Sequence, residues 1–293
     1  MISRRTILSA LPPLALSAAP PAGAIDTHTH FYDPSRPQGV PWPPKTDSLL
    51  YRTTLPADFL KVVSELNVAG TVVVEASPWL EDNQWILDLA SENPVIRGFV
   101  GNLDVQDPAF AQNLSRFKKN PLFRGIRLGT TPLGAVLSSQ KGIESLRRLT
   151  EAGLSLDVVG DAPLAPQVAL LAARIPELRI VIDHLPFETD PGESLTRLGN
   201  HPNVYAKVSN VPRRAGGVVR EDLDYYRPAL DRLWTIFGPD RLIYGSNWPV
   251  SNKVAPYPVA WKLVNEYFRQ RGAAAAGKYF GMNAKTAYRW LER

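Results

Sequence analysis

The chain has 293 residues, is 44% hydrophobic, carries a formal net charge of +5 and contains no cysteine. That length buries one large core, as one α/β barrel-sized domain or two smaller ones. The absence of cysteine removes any thiol nucleophile, thiolate metal ligand or disulfide, and the scattered basic residues form no block that would point to a nucleic-acid partner.

The stretch "SRRTILSALPPLALSAAPPAGA" pairs Arg4 and Arg5 with a short apolar run and ends on Ala22, Gly23 and Ala24. This is the pattern of a twin-arginine-type signal peptide over residues 1–24. It predicts a periplasmic or secreted protein whose single domain spans residues 25–293. Pro12 and Pro13 interrupt the apolar run, so the same residues also read as an amphipathic extension. No later stretch reaches the length of a membrane span.

Eight short apolar runs follow: "AIDTHTH", "GTVVVEAS", "VIRGFVGNLD", "FRGIRLG", "LSLDVVG", "RIVIDHLP", "NVYAKVSN" and "RLIYGSNWP". Helix-like segments separate them, at residues 56–69, 81–93, 107–120, 142–153 and 221–238. Strands alternating with helices over this length predict an α/β fold of the (β/α)8 TIM-like barrel type, and two amphipathic segments after the last strand read as closing helices. An open doubly wound sheet is the alternative, but no glycine-rich phosphate turn follows the first strand.

Residues 31–55, rich in proline and aromatics, form a long irregular connection after the first strand. In a barrel such a loop borders the active face, so it reads as a lid with Trp42 and Tyr51 as substrate contacts, or as a surface loop with packed aromatics.

Alternation along the strands then selects the inward groups. On the first strand Asp26, His28 and His30 fall on one face. Glu75 and Ser77, Gly125 and Arg127, Asp157, His184, Lys207 and Ser209, and Gly245 and Asn247 follow on later strands. Two histidines at i and i+2 let both imidazoles reach one metal ion or one carbonyl oxygen. His201 lies before a strand and reads as a solvated turn residue. Arg213 and Arg214 follow the seventh strand, as a carboxylate clamp or as loop charges.

Taken together, "IDTHTHFYDP", "VVVEASPWLEDNQW", "GFVGNLD", "RGIR", "VIDHLP", "AKVS" and "YGSNWP" resemble the amidohydrolase superfamily. The nearest branch is that of the amidohydrolase-related lactonases, which includes sugar-acid and pyrone-dicarboxylate lactonases. The resemblance implies a distorted (β/α)8 barrel in which the first-strand histidine pair, a sixth-strand histidine and an eighth-strand aspartate surround the scissile carbonyl. By motif match these are His28, His30 and His184. Ser77, Arg127 and Arg213 match substrate-contacting positions, and Lys207 joins them from the alternation.

The departure is Asn247, which stands where the branch has aspartate. An amide accepts no proton near neutral pH and is a poor metal ligand, but it can orient water. Three readings follow. In the first, no cofactor is required: a histidine or another inward group such as Asp26 acts as base and Asn247 orients water. In the second, His28, His30 and His184 hold one zinc ion, whose bound water replaces the missing base. In the third, the barrel binds an anionic ligand without turnover. The expected partner is a small anionic or sugar-like molecule, with neither nucleic acid nor a membrane span involved; the sequence leaves self-association into a homo-oligomer open.

Overall fold

The computed structural model describes residues 23–290. Residues 1–22, on which most of the export-signal expectation rests, lie outside the described residues. The first strand begins at Ala24, whose N–H donates to the Asn67 carbonyl at 2.7 Å.

The expected barrel forms. Its strands are β1 (Ala24–Thr29), β2 (Val68–Val74), β3 (Ile96–Gly101), β4 (Phe123–Gly129), β5 (Ser155–Val159), β6 (Ile180–Leu185) and β7 (Val204–Val208). A small hairpin, β8 (Arg214–Ala215) with β9 (Val218–Val219), precedes the last barrel strand, β10 (Leu242–Tyr244). The order is β1-β2-β3-β4-β5-β6-β7-β10, all parallel. Closure between β10 and β1 runs beyond the last strand: Asn247 N–H donates to the His28 carbonyl at 2.9 Å, and His30 N–H to the Trp248 carbonyl at 2.9 Å.

Helices cover the outside: α1 (Pro56–Val63), α2 (Leu80–Glu92), α3 (Phe110–Phe117), α4 (Thr130–Leu137), α5 (Gln140–Glu151), α6 (Leu164–Arg174), α7 (Glu193–Leu198) and α8 (Leu223–Phe237). Period-two alternation divides the core in two. Val73, Phe99, Ile126, Leu156, Ile182 and Leu242 face the helices in one apolar layer. Val72, Val74, Val100, Val181, Tyr205 and Ile243 face inward and form a second.

That inner layer is completed from the C-terminus. After α9 (Tyr257–Gln270) and α10 (Ala273–Gly277) comes one π-helical turn, then α11 (Asn283–Tyr288). Ala284, Ala287, Tyr288 and Trp290 pack against the inward valines. Arg179, just before β6, donates to the Ala287 carbonyl at 2.7 Å, and Arg124, near the start of β4, to the Arg289 carbonyl at 2.8 Å. The last helix therefore plugs the end of the barrel where strands begin, leaving the opposite end open.

The loop over residues 31–55 is pinned at its ends by the antiparallel pair Tyr32 and Thr54. Arg36 anchors it to α2, with Nη2 2.8 Å from Asp82 and the guanidinium 4.4 Å from the Trp85 ring centroid. Among the described residues, no helix is long and apolar enough to cross a membrane.

Candidate active site

A cleft of about 430 Å³ opens where the strands end, bordered by His30, Trp42, Ser77, Arg127, His184 and Asn247. Beyond Glu75, Asn102 and Arg127 a second lobe of about 520 Å³ extends toward Asp104 and Gln106. Either volume suits a small-molecule ligand.

Two register shifts and a left-handed residue beyond the last strand aim these groups. A register shift between Asp26 and Thr29 breaks the alternation of β1. His28 and His30 consequently point inward, while Asp26 turns to the seam. Its carboxylate accepts from Ser246 N–H at 2.8 Å, His28 N–H at 3.0 Å and the Tyr257 hydroxyl at 3.0 Å. Asp26 therefore does not share the face of the histidines and has no place as a base in the cleft; burial pushes its carboxyl up to about 6. On β6 a second shift falls between Ile182 and Leu185, and His184 adopts a left-handed φ of 61°. Strict alternation would send Asp183 and His184 to opposite faces; the bulge lets both face inward. Asn247 is left-handed as well, at φ 63°, a conformation asparagine tolerates better than most residues.

The cleft histidines are held by specific partners. His30 Nδ1 lies 2.9 Å from the Val74 carbonyl, which can only accept, so Nδ1 carries the proton. Asn247 borders the cleft beside His30, close enough for its side chain to raise the ring's affinity for a proton. Ser209 Oγ bonds His184 at both its backbone N–H, 3.2 Å, and its Nδ1, 2.9 Å. Burial, reinforced by Arg127, lowers His30 to about 3. Burial lowers His184 to about 4 despite the opposing pull of Asp183. Both are neutral near pH 7.

Beneath the cleft lies a buried charged layer. His28, with no exposed surface, sits with its ring centroid 4.9 Å from His30 and 4.4 Å from His184. Its Nδ1 is 3.4 Å from Asp183 Oδ1 and 3.3 Å from Lys207 Nζ. Lys207 bridges Asp183 at 2.8 Å and Asp157 at 2.9 Å. Burial opposes ionisation of Asp183, but Lys207 and His28 outweigh it and hold the carboxyl well below the usual range. The close approach of β10 permits this layer: a Cβ on Gly245 would lie 2.9 Å from His28 Cβ and 3.1 Å from the Lys207 stem.

The expected residues thus fall into three places. His30, His184, Asn247, Ser77, Arg127 and Trp42 border the cleft. His28 and Lys207 lie under it, so Lys207, expected as a substrate contact, is instead an internal ion-pair partner. Tyr51 borders neither lobe. Arg213 spends its guanidinium on main-chain carbonyls, Asn210 and Pro186 among them, and Arg214 reaches Gly217 and Val254. Arg127 is paired with Glu75, Nη2 to Oε1 at 2.7 Å and Nε to Oε1 at 2.8 Å, leaving Nη1 3.9 Å from Asp183 Oδ2.

An amidohydrolase family model matches residues 25–290. The chain belongs to the amidohydrolase family. Within it, the L-fucono-1,5-lactonase of Burkholderia ambifaria is 34% identical over 282 residues, covering 90% of this chain and 95% of the relative. An amidohydrolase from Burkholderia multivorans, solved with bound zinc, shares the fold at a TM-score of 0.81 and 24% identity, covering 92% of this chain and 100% of that one. Amidohydrolase 2 from Bifidobacterium longum subsp. infantis superposes with a TM-score of 0.71 at 25% identity, over 92% and 100% of the two chains.

Metal-donor chemistry is present in this amidohydrolase. Among the described residues, His28, Asp183 and His184 offer ligand atoms within 4.8 Å of one another, and His28 Nε2 is buried with no hydrogen-bond partner. The set fits a divalent ion. It differs from the expected three histidines in including Asp183 in place of His30, whose Nδ1 faces the Val74 carbonyl at 2.9 Å. Alternation concealed Asp183, which shares a strand with His184 and reads as its opposite face. Asn102 was also passed over. Its N–H and carbonyl are clamped by Asn83 at 2.9 and 2.8 Å, and no charge or spacing in the sequence marks it.

Proposed function

We propose that the protein is a hydrolase that opens the ester ring of a small sugar-acid lactone. The observation that carries this reading is the convergence of His30, His184, Asn247 and Arg127 on one cleft. Likeness to an L-fucono-1,5-lactonase over 90% of the chain supports it.

The chemistry follows from the proton inventory. His30, protonated at Nδ1, presents a lone pair at Nε2, and in this reading the Asn247 amide N–H is the group that donates to it. The amide oxygen is then the acceptor that orients water. An aspartate here would oppose lone pair to lone pair unless His30 were protonated, so the amide is the group that suits a neutral imidazole. In this reading His184 donates Nδ1–H to Ser209 Oγ, 2.9 Å away, which keeps Nε2 as the base. Water attacks the ester carbonyl carbon as its proton passes to His184, and negative charge grows on the carbonyl oxygen beside Arg127 Nη1. When the tetrahedral species collapses, the ring C–O bond breaks and His184 returns the proton to the departing alkoxide, giving a hydroxy acid.

A neutral, polyhydroxylated lactone suits the mouth better than a carboxylated one. Glu75 neutralises Arg127, Arg213 serves main-chain carbonyls, and Lys207 is buried between two carboxylates. Trp42, whose ring centroid lies 5.8 Å from that of His30, offers an aromatic wall for a sugar ring.

This reading requires no cofactor. A second is favoured by the unpartnered His28 Nε2: one divalent ion such as zinc held by His28, Asp183 and His184, supplying when bound a Lewis acid and an acidic water. Metal analysis with chelation separates them. Activity that survives chelation supports the first; activity abolished by chelation and restored by zinc supports the second. Ligand-induced stabilisation without turnover across a lactone panel would instead mark a binding barrel. The Arg4-Arg5 pattern further supports export, which cell fractionation and N-terminal sequencing of the mature chain would test.

A further inference from the structure

The buried layer below the cleft contains a chain of contacts that the proposed chemistry does not use, and it ends on the last helix. Lys207 has no exposed surface, so its ammonium needs an acceptor for each N–H. Three partners surround it: Asp157 Oδ2 at 2.9 Å and His28 Nδ1 at 3.3 Å within hydrogen-bonding geometry, and Asp183 Oδ1 as an ion pair at 2.8 Å. Asp157 is weakly supplied in turn. Its Oδ1 is buried without a hydrogen-bond partner, and its Oδ2 is shared between Lys207 and one neutral donor, the Tyr288 hydroxyl at 2.7 Å. Tyr288 comes from α11, which Arg179 and Arg124 fasten under the barrel. Its ring centroid lies 5.6 Å from Lys207 Nζ.

We infer that Tyr288 is a positioning residue for the active site, acting through Asp157 and Lys207 to hold Asp183 and His28 beneath the cleft. It touches no substrate. With its hydroxyl present, Asp157 is partly satisfied and Lys207 stays centred between Asp157, His28 and Asp183. Without it, the only strong donor left to Asp157 is the ammonium, which is drawn away from Asp183 and His28. His28 packs against both cleft histidines, so a displacement there reaches His184.

The inference rests on the lactone-hydrolase reading for its kinetic test and on none of it for its spectroscopic one. Tyr288→Phe keeps the ring over Lys207 and removes only the hydroxyl; Asp157→Asn keeps the shape and removes the charge. For both, kcat on a neutral sugar lactone is expected to fall about 10- to 100-fold, the scale on which misplaced catalytic groups act, with KM within about twofold. The imidazole 15N resonances of His28 should shift in both variants while circular dichroism and thermal unfolding show a folded protein. Unmoved His28 resonances, or a loss of kcat matched by loss of folded protein, would overturn the inference. If the wild-type chain opens no lactone, the functional reading fails and the His28 resonances alone decide this one.

Discussion

The two ends of the barrel interior are built from the same strands and behave differently. At the end where strands begin, Val72, Val181, Tyr205 and Ile243 keep their inward places through register shifts at Ala24–Ile25 and Thr71–Val72 and meet the apolar face of α11. At the other end, β1 and β6 are bulged, His184 and Asn247 are left-handed, and the inward groups are polar. Packing tolerates such shifts, because any inward apolar residue of the right size suffices. Placing Asp183 and its sequence neighbour His184 on one side requires the pleat to fail, and conformational strain of this kind concentrates at functional sites.

Substitutions at each end should therefore report in different quantities. The largest expected effect is at His184: His184→Asn removes the base and should lower kcat by about 10²- to 10⁴-fold with the fold intact, measured by steady-state kinetics beside a thermal melt. Arg127→Ala removes the cation beside the developing oxyanion and should cost about 10²- to 10³-fold in kcat. If Arg127 instead clamps a substrate carboxylate, KM for carboxylated lactones will rise far more than for neutral ones.

Asn247→Asp sharpens the comparison through pH. In the wild type, His30 near 3 and His184 near 4 stay neutral down to mild acid, so kcat/KM should fall only as pH drops through about 4. A carboxylate at position 247 favours protonated His30, which moves the acid limb of the profile upward; an unchanged limb would show that Asn247 and His30 are not coupled. The smallest effect belongs to the plugged end. Ile243→Val should cost about 1 kcal/mol of stability in denaturant unfolding and leave kcat unchanged.

The same contrast explains what could be read from the amino-acid order. All eight strands, their parallel sequence and the inward places of Arg127, Asp157, Lys207 and Ser209 follow from alternation, because those strands are regular there. Asp26 could not be placed that way. The bulge after it reverses the phase of β1, and it is set by seam contacts to Ser246 and Tyr257, more than 200 residues away. Asp183 was hidden for the same reason. Lys207 and Arg127 were visible as inward cations but not as paired ones, since pairing depends on which strands become neighbours. Trp42 and Tyr51 looked equivalent within an irregular loop that no periodicity constrains, and only Trp42 reaches the cleft. The C-terminal segments were legible as closing helices, but not that α11 would plug the end where strands begin, because a short alanine-containing helix gives no sign of which surface it will cover.

The measurement that bears most directly on this account is hydrolysis of a panel of neutral sugar lactones and carboxylated pyrones by the purified protein, with His184→Asn as the matched control. The wild type should turn over neutral lactones, and a folded His184→Asn protein should lose nearly all of that activity. Equal rates for the two proteins, or no turnover above the spontaneous rate for any lactone, would contradict it.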